Sequence, residues 1–143
     1  MTHEATDVQI LHIDDVEPVE VVPGIMRRRL PATDWARGWM YDFAPGTEWP
    51  ETDVHDCEER YYVVSGEFID RGRRLRTGSY VVFAPGSTHR PRTETGARML
   101  GISILGATPA QFRILDPFDR PSYGLGRNNR AERPPCSNDC SCC

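Results

Sequence analysis

Apolar residues in this chain come in short runs, and glycine or proline cuts off nearly every one. The runs are Val8 to Ile13, Val19 to Val22, Trp39 to Phe43, Tyr61 to Val64, Tyr80 to Phe83 and Met99 to Leu105. Between them stand Pro23-Gly24, Pro45-Gly46, Ser65-Gly66, Thr77-Gly78 and Pro85-Gly86. Such segments are too short and too often interrupted to carry a helical period over more than two turns. Many short strands broken by turn residues every ~8–12 residues predict an all-β sandwich or barrel, not an alternating helix–strand fold. A chain of 143 residues makes one domain and buries roughly two-thirds of its unfolded surface.

Charge narrows the function. The formal net charge is -4, and all 17 basic residues are arginine. The longest basic block, Arg27-Arg28-Arg29, is too short to act as a nucleic-acid patch. No run of 18 or more apolar residues spans a membrane, and the first twenty residues, with Asp7, Asp14, Asp15 and Glu17, do not read as a signal peptide. The expectation is a soluble cytoplasmic protein that acts on small molecules. Cysteine usage agrees with that. Cys57 sits in the body of the chain, whereas Cys136, Cys140, Cys142 and Cys143 crowd the end, unlike the spread of a disulfide-stapled secreted domain.

Two segments carry chemistry. In PGTEWPETDVHDCEERYYVVSGEF, Asp53 and His55 are two apart and share a strand face. Glu59 follows across the acidic turn Asp56-Cys57-Glu58, on one face with Tyr61 and Val63. In TGSYVVFAPGSTHRPRT a strand runs into Pro85-Gly86 and then presents His89. If the two hairpins face each other, His55, Glu59 and His89 converge. Two imidazoles and a carboxylate with open positions suit Fe(II), and Mn, Ni or Zn use the same set. Tyr61 is either barrel lining or an acid that orients substrate. Trp39, Tyr41 and Phe43 share one face, as core or dimer surface. Ser103 is a further candidate to face the pocket, and Arg98 lies on the opposite side of its strand.

These segments resemble the two cupin motifs. The first is commonly written G-x5-H-x-H-x3,4-E-x6-G, and here Gly46, Asp53, His55, Glu59 and Gly66 occupy its positions with six residues after Gly46. The second, G-x5-P-x-G-x2-H-x3-N, is similar to the run Gly78, Pro85, Gly86, His89 and Thr93, in which Pro85 stands directly before Gly86. The chain is similar to the subgroup of the ChrR anti-sigma cupin domain and dihydroxyacetophenone-dioxygenase-like proteins. Pro23-Gly24, Pro45-Gly46, Gly66-Glu67-Phe68, Asp70, Gly78-Ser79-Tyr80, Pro85-Gly86-Ser87, His89 and Pro91 carry that similarity, which covers about Pro18 to Leu105. The resemblance implies a double-stranded β-helix, or jelly-roll barrel, over residues 1–115, with motif 1 at 46–66 and motif 2 at 78–93. A Pro/Arg/Asn-rich tail, 116–143, follows.

The resemblance also implies one divalent metal, Fe(II) first and Zn, Mn or Ni as alternatives, and pairing into a homodimer. For that pairing, Val8–Val22 is the segment offered for edge pairing or exchange. Two positions depart from the motifs. Asp53 replaces the first histidine, and Thr93 the usual Asn. Asp53 either joins the ligands as a harder oxygen donor or stands back as an acceptor or general base.

With Fe(II) the expected chemistry is dioxygen activation and oxidative C–C cleavage. With Zn, Mn or Ni it is an isomerase, lyase or cyclase reaction in which Asp53 or Tyr61 moves protons. A non-catalytic metal- or redox-sensing module is the other class. ChrR-type cupins serve within an anti-sigma factor, beside an N-terminal zinc domain. His3 and His12 stand without a nearby cysteine and do not resemble that domain. The C-x3-C-x-C-C cluster of Cys136, Cys140, Cys142 and Cys143 is a candidate for a second, thiolate-bound metal, for disulfides or for oxidation sensing.

Overall fold

The structure is a computed structural model that describes residues 7–106 and 109–114. The tail and its cysteines Cys136, Cys140, Cys142 and Cys143 lie outside the described residues. The described chain is nearly all strand: β1 Val19–Val22, β2 Ile25–Arg29, β3 Ala36–Phe43, β4 Asp53–Val54, β5 Glu58–Asp70, β6 Arg73–Arg76, β7 Tyr80–Phe83, β8 Thr88–His89 and β9 Ala97–Ile104. A large antiparallel sheet runs β1-β2-β3-β9-β5-β6, with β7 also on β5, and β4 pairs with β8 in a small second sheet. No helix among the described residues is long and apolar enough to cross a membrane.

Register places the core. Ile25 pairs with Phe43, and Phe43 with Ala97; Tyr41 pairs with Met99, and Met99 with Val63. These residues point inward and, with Tyr61, Phe68 and Phe83, form one buried cluster. Phe43 packs edge-on against Phe68 with ring centroids 5.0 Å apart, a favoured aromatic geometry. The other face of β3 and β9 is polar at Asp42, which is paired with Arg28 and with Arg98, its Oδ2 accepting from Arg98 at 3.0 Å.

Three elements differ from the sequence pattern. Val8 to Ile13 is not a strand. Val8 and Ile10 are exposed by 72% and 90%, and a short 3-10 turn, Ile13–Asp15, follows, capped by His12. Alternation makes a strand only where a neighbour takes up the backbone, and this segment has none among the described residues. β6 escapes an apolar-pattern search because it reads Arg-Arg-Leu-Arg. It forms as the return arm of a hairpin from β5 across Arg71-Gly72, with Asp70 opposite Arg73.

The third difference is Gly66. It directly follows a bulge between Val63 and Ser65 inside the 13-residue β5 and does not end a strand. Its φ is +73°, and a Cβ there would stand 2.1 Å from the Gly96 carbonyl oxygen, so only glycine fits. The bulge changes the inward parity of β5. Tyr61 and Val63 face the core before it; Phe68 and Asp70 do so after it.

Candidate metal centre

The second motif's turn is built by its own residues. In Ala84-Pro85-Gly86-Ser87 the Ser87 N–H donates to the Ala84 carbonyl at 3.0 Å and Gly86 has a φ of +86°. That is the turn type that takes Pro at its second position and requires Gly at its third. The same turn clasps the first motif. His55 N–H donates to the Ser87 carbonyl at 3.0 Å, and Gly86 N–H donates to the His55 carbonyl at 2.6 Å. Next to it β4 pairs with β8 so that Asp53 stands directly opposite His89. Val54 points out, 62% exposed, so Asp53 and His55 face the same way, as their spacing predicts.

Asp53, His55 and His89 each offer a ligand atom, and the three atoms lie within 4.8 Å of one another. Both imidazoles are buried. Their Nδ1 atoms are held by carboxylates: His55 by Glu59 Oε2 at 2.9 Å, His89 by Asp70 Oδ2 at 2.7 Å. An ionised carboxylate only accepts, so each Nδ1 carries the proton and each Nε2 keeps a free lone pair. His89 Nε2 lies 3.8 Å from Asp53 Oδ2, and His55 Nε2 is buried with no hydrogen-bond partner. Two aimed lone pairs, one of them orphaned, beside a carboxylate fit a divalent cation. The Nδ1–carboxylate bonds are the arrangement that fixes metal-binding histidines.

The other expected site residues fall around this cluster. Glu59 is not among the three converging groups; its carboxylate holds the far side of His55 and lines the cavity. Burial disfavours a charged His55, but the Glu59 hydrogen bond and charge, with Asp53 and Asp70 behind, outweigh it and raise the pKa above the ordinary imidazole value. Tyr61 is 2% exposed and donates its hydroxyl to Asp70 Oδ2 at 3.0 Å. Burial first, then the Asp70 charge and hydrogen bond, push its pKa well up. Burial alone would raise Asp70, but His89, the Tyr61 hydroxyl and the Arg90 backbone N–H together hold it below the usual carboxylate range.

Asp70 has no place in the ligand pattern read from the sequence. Uninterrupted alternation along β5 puts it on the outer face with Arg60 and Tyr62; the bulge between Val63 and Ser65, just before Gly66, turns it inward. Gly66 was the available signal. Thr93, in the place of the usual Asn, is 2% exposed; its hydroxyl donates to the Glu67 carbonyl at 2.7 Å and accepts from Gly96 N–H at 3.1 Å. It thereby ties the second motif to β5 just past the bulge.

A cavity opens onto the cluster. Asp53, Glu59, Tyr61 and His89 form its polar side; Tyr41, Phe43, Trp49, Pro91 and Met99 form its apolar side. Of the aromatic trio on β3, Phe43 is core and Tyr41 lines this cavity. Ser103 is buried in register with Glu59, and Arg98 lies on the other face, bound to Asp42. Cys57 is half-buried, its thiol pKa raised by burial and by the neighbouring Asp56 and Glu59.

Comparison with known proteins agrees with this architecture. The family model described as the ChrR Cupin-like domain matches residues 6–104. No curated protein matches the chain. Among solved structures, an RmlC-like cupin from Shewanella frigidimarina superposes with a TM-score of 0.64 at 20% identity, covering 70% of this chain and 93% of its own. The anti-sigma ChrR of Rhodobacter sphaeroides, in complex with SigE, gives 0.59 at 21% identity, covering 64% and 51%. An acetylacetone dioxygenase from Acinetobacter johnsonii gives 0.59 at 14% identity, covering 73% and 77%. A nearly all-strand domain, two histidines presented by paired motif turns and a family match over most of the chain have one reading: this protein belongs to the ChrR Cupin-like domain family.

Proposed function

We propose that this protein is a metal-dependent enzyme of small organic molecules, a non-haem Fe(II) oxygenase, with Asp53, His55 and His89 as its metal ligands. The observation that supports it is the donor set. Two imidazole nitrogens and one carboxylate on one side, with a cavity on the other, form the two-histidine, one-carboxylate face associated with Fe(II) oxygenases. Bound there, Fe(II) supplies the redox capacity for dioxygen chemistry and oxidative C–C cleavage. The fold is shared with an acetylacetone dioxygenase, but a likeness of fold alone does not select the reaction.

The chain's own groups then have distinct tasks. Glu59 and Asp70 hold the two imidazoles at Nδ1, which leaves both Nε2 atoms for the metal. Tyr61 holds Asp70, so its phenol positions and does not react. Tyr41, Phe43, Trp49 and Met99 exclude water from the apolar side and receive the carbon skeleton of the substrate.

Glu59 supports a second reading. It lines the cavity and stays partly exposed, so it is placed to move a proton. With Zn, Mn or Ni at the same ligands, that favours an isomerase, lyase or cyclase.

Oxygen uptake separates the two. Protein loaded anaerobically with Fe(II) is mixed with oxygenated buffer and a panel of β-dicarbonyls and hydroxylated aromatic ketones, beside His89→Ala. Substrate-dependent uptake in the wild type alone supports the oxygenase. Substrate turnover without uptake, retained with Zn or Mn and lost in Glu59→Gln, overturns it in favour of proton-transfer chemistry.

A further inference from the structure

The sheet's inner face carries a cation that the metal cluster does not use. Arg27 is two residues from fully buried Ile25 on β2, so it points to the same side. Register sets it beside Tyr41, and Tyr41 beside Met99; both line the cavity. Arg27 is half-buried, with its guanidinium carbon 5.2 Å from the centre of the Trp39 ring. It also acts on the Tyr41 phenol, partly offsetting the burial that raises that group, while Glu59 and Asp53 act on the same phenol as negative charges. Tyr41 thus has the cation beside it in register and shares the cavity with Asp53 and Glu59.

Among the described residues Arg27 forms no ion pair, whereas its neighbour Arg28 is bound to Asp42 on the opposite face. A partly desolvated guanidinium on an inner face, packed on an aromatic ring and lacking a counter-ion, is poised for an anion. Its planar fork matches a carboxylate through two parallel hydrogen bonds. Arg27 thus lies beside Tyr41, a residue of the cavity that Asp53 and His89 also line.

We infer that Arg27 determines specificity, binding the carboxylate of a small planar acid whose other end lies at Asp53, His55 and His89. The inference rests on the metal-site reading and adds to it the substrate class: aromatic or otherwise flat organic acids, in preference to their neutral counterparts.

Zinc-loaded full-length protein, chosen to be redox-silent, tests this by calorimetry. The probes are benzohydroxamate and its 3-carboxy, 4-carboxy and 4-carboxymethyl derivatives, each acid against its methyl ester. At least one acid is expected to bind ten or more times tighter than its ester. That preference should vanish in Arg27→Met and weaken in Arg27→Lys, with benzohydroxamate affinity and zinc content unchanged. Acids that bind no better than esters, or a preference that survives both substitutions, overturn the role of Arg27. Failure of the metal-site reading has a separate signature: benzohydroxamate would bind wild type and His89→Ala alike, and that result removes the inference with it.

Discussion

Asp70 decides how His89 is presented. It is 3% exposed, and a single oxygen, Oδ2, accepts from both the imidazole and the Tyr61 phenol, while Oδ1 has no partner. Asp70→Asn removes the charge that fixes the Nδ1–H tautomer and makes the ring more basic. Metal affinity should fall about 10–100-fold with little change in fold, measured by competition with a chromophoric chelator. Tyr61 has its own signature. Its pKa is raised in the folded chain, so the unfolded chain releases the phenolic proton first. Stability contributed by the buried neutral phenol is therefore whole below pH ~10 and is lost as pH rises above it. Urea unfolding between pH 9 and 11 should show that decline, and Tyr61→Phe should flatten it by up to about 1.4 kcal/mol per pH unit.

The bulge in β5 is the element that makes the site. Gly66→Ala places a side chain in left-handed backbone, which costs about 1–3 kcal/mol, and drives its Cβ into the Gly96 carbonyl. Unfolding should shift by at least that amount, with metal affinity falling as Asp70 is displaced. Thr93→Val removes both hydroxyl bonds beside the bulge and should cost about 1–3 kcal/mol in the same denaturation experiment.

The two elements also mark where the sequence was readable. Asp53, His55 and His89 could be found because a two-residue spacing and a Pro-Gly turn fix side-chain direction locally. Asp70 and the orienting position of Glu59 could not. Alternation is a local rule, and one extra residue in β5 reverses it for everything downstream. β6 was hidden because hairpin pairing, not apolar patterning, makes it a strand. Val8 to Ile13 showed the reverse: a pattern with no strand partner among the described residues.

At the scale of the molecule, a metal held by Asp53, His55 and His89 would pin the small β4-β8 sheet through one residue from each strand and His55 just beyond. Metal that binds the folded chain alone should stabilise it as a whole. At a free concentration of a hundred times Kd the gain is about 2.7 kcal/mol, seen as a Tm that drops on chelation in wild type and not in His89→Ala. The family was legible from the two motifs at 46–66 and 78–93, and the all-strand architecture from short apolar runs broken by turn residues. The cavity was not, because Tyr41, Phe43, Trp49 and Met99 come from separate segments that only the sheet order brings together.

If Asp53, His55 and His89 hold one metal, elemental analysis of the purified protein detects it. The samples are full-length protein purified without oxygen and without a polyhistidine tag, as wild type, as His89→Ala, and with Cys136, Cys140, Cys142 and Cys143 all changed to Ser. The prediction is about one divalent metal per chain, lost in His89→Ala and kept in the cysteine variant. Metal that survives His89→Ala and leaves with the cysteines would contradict it.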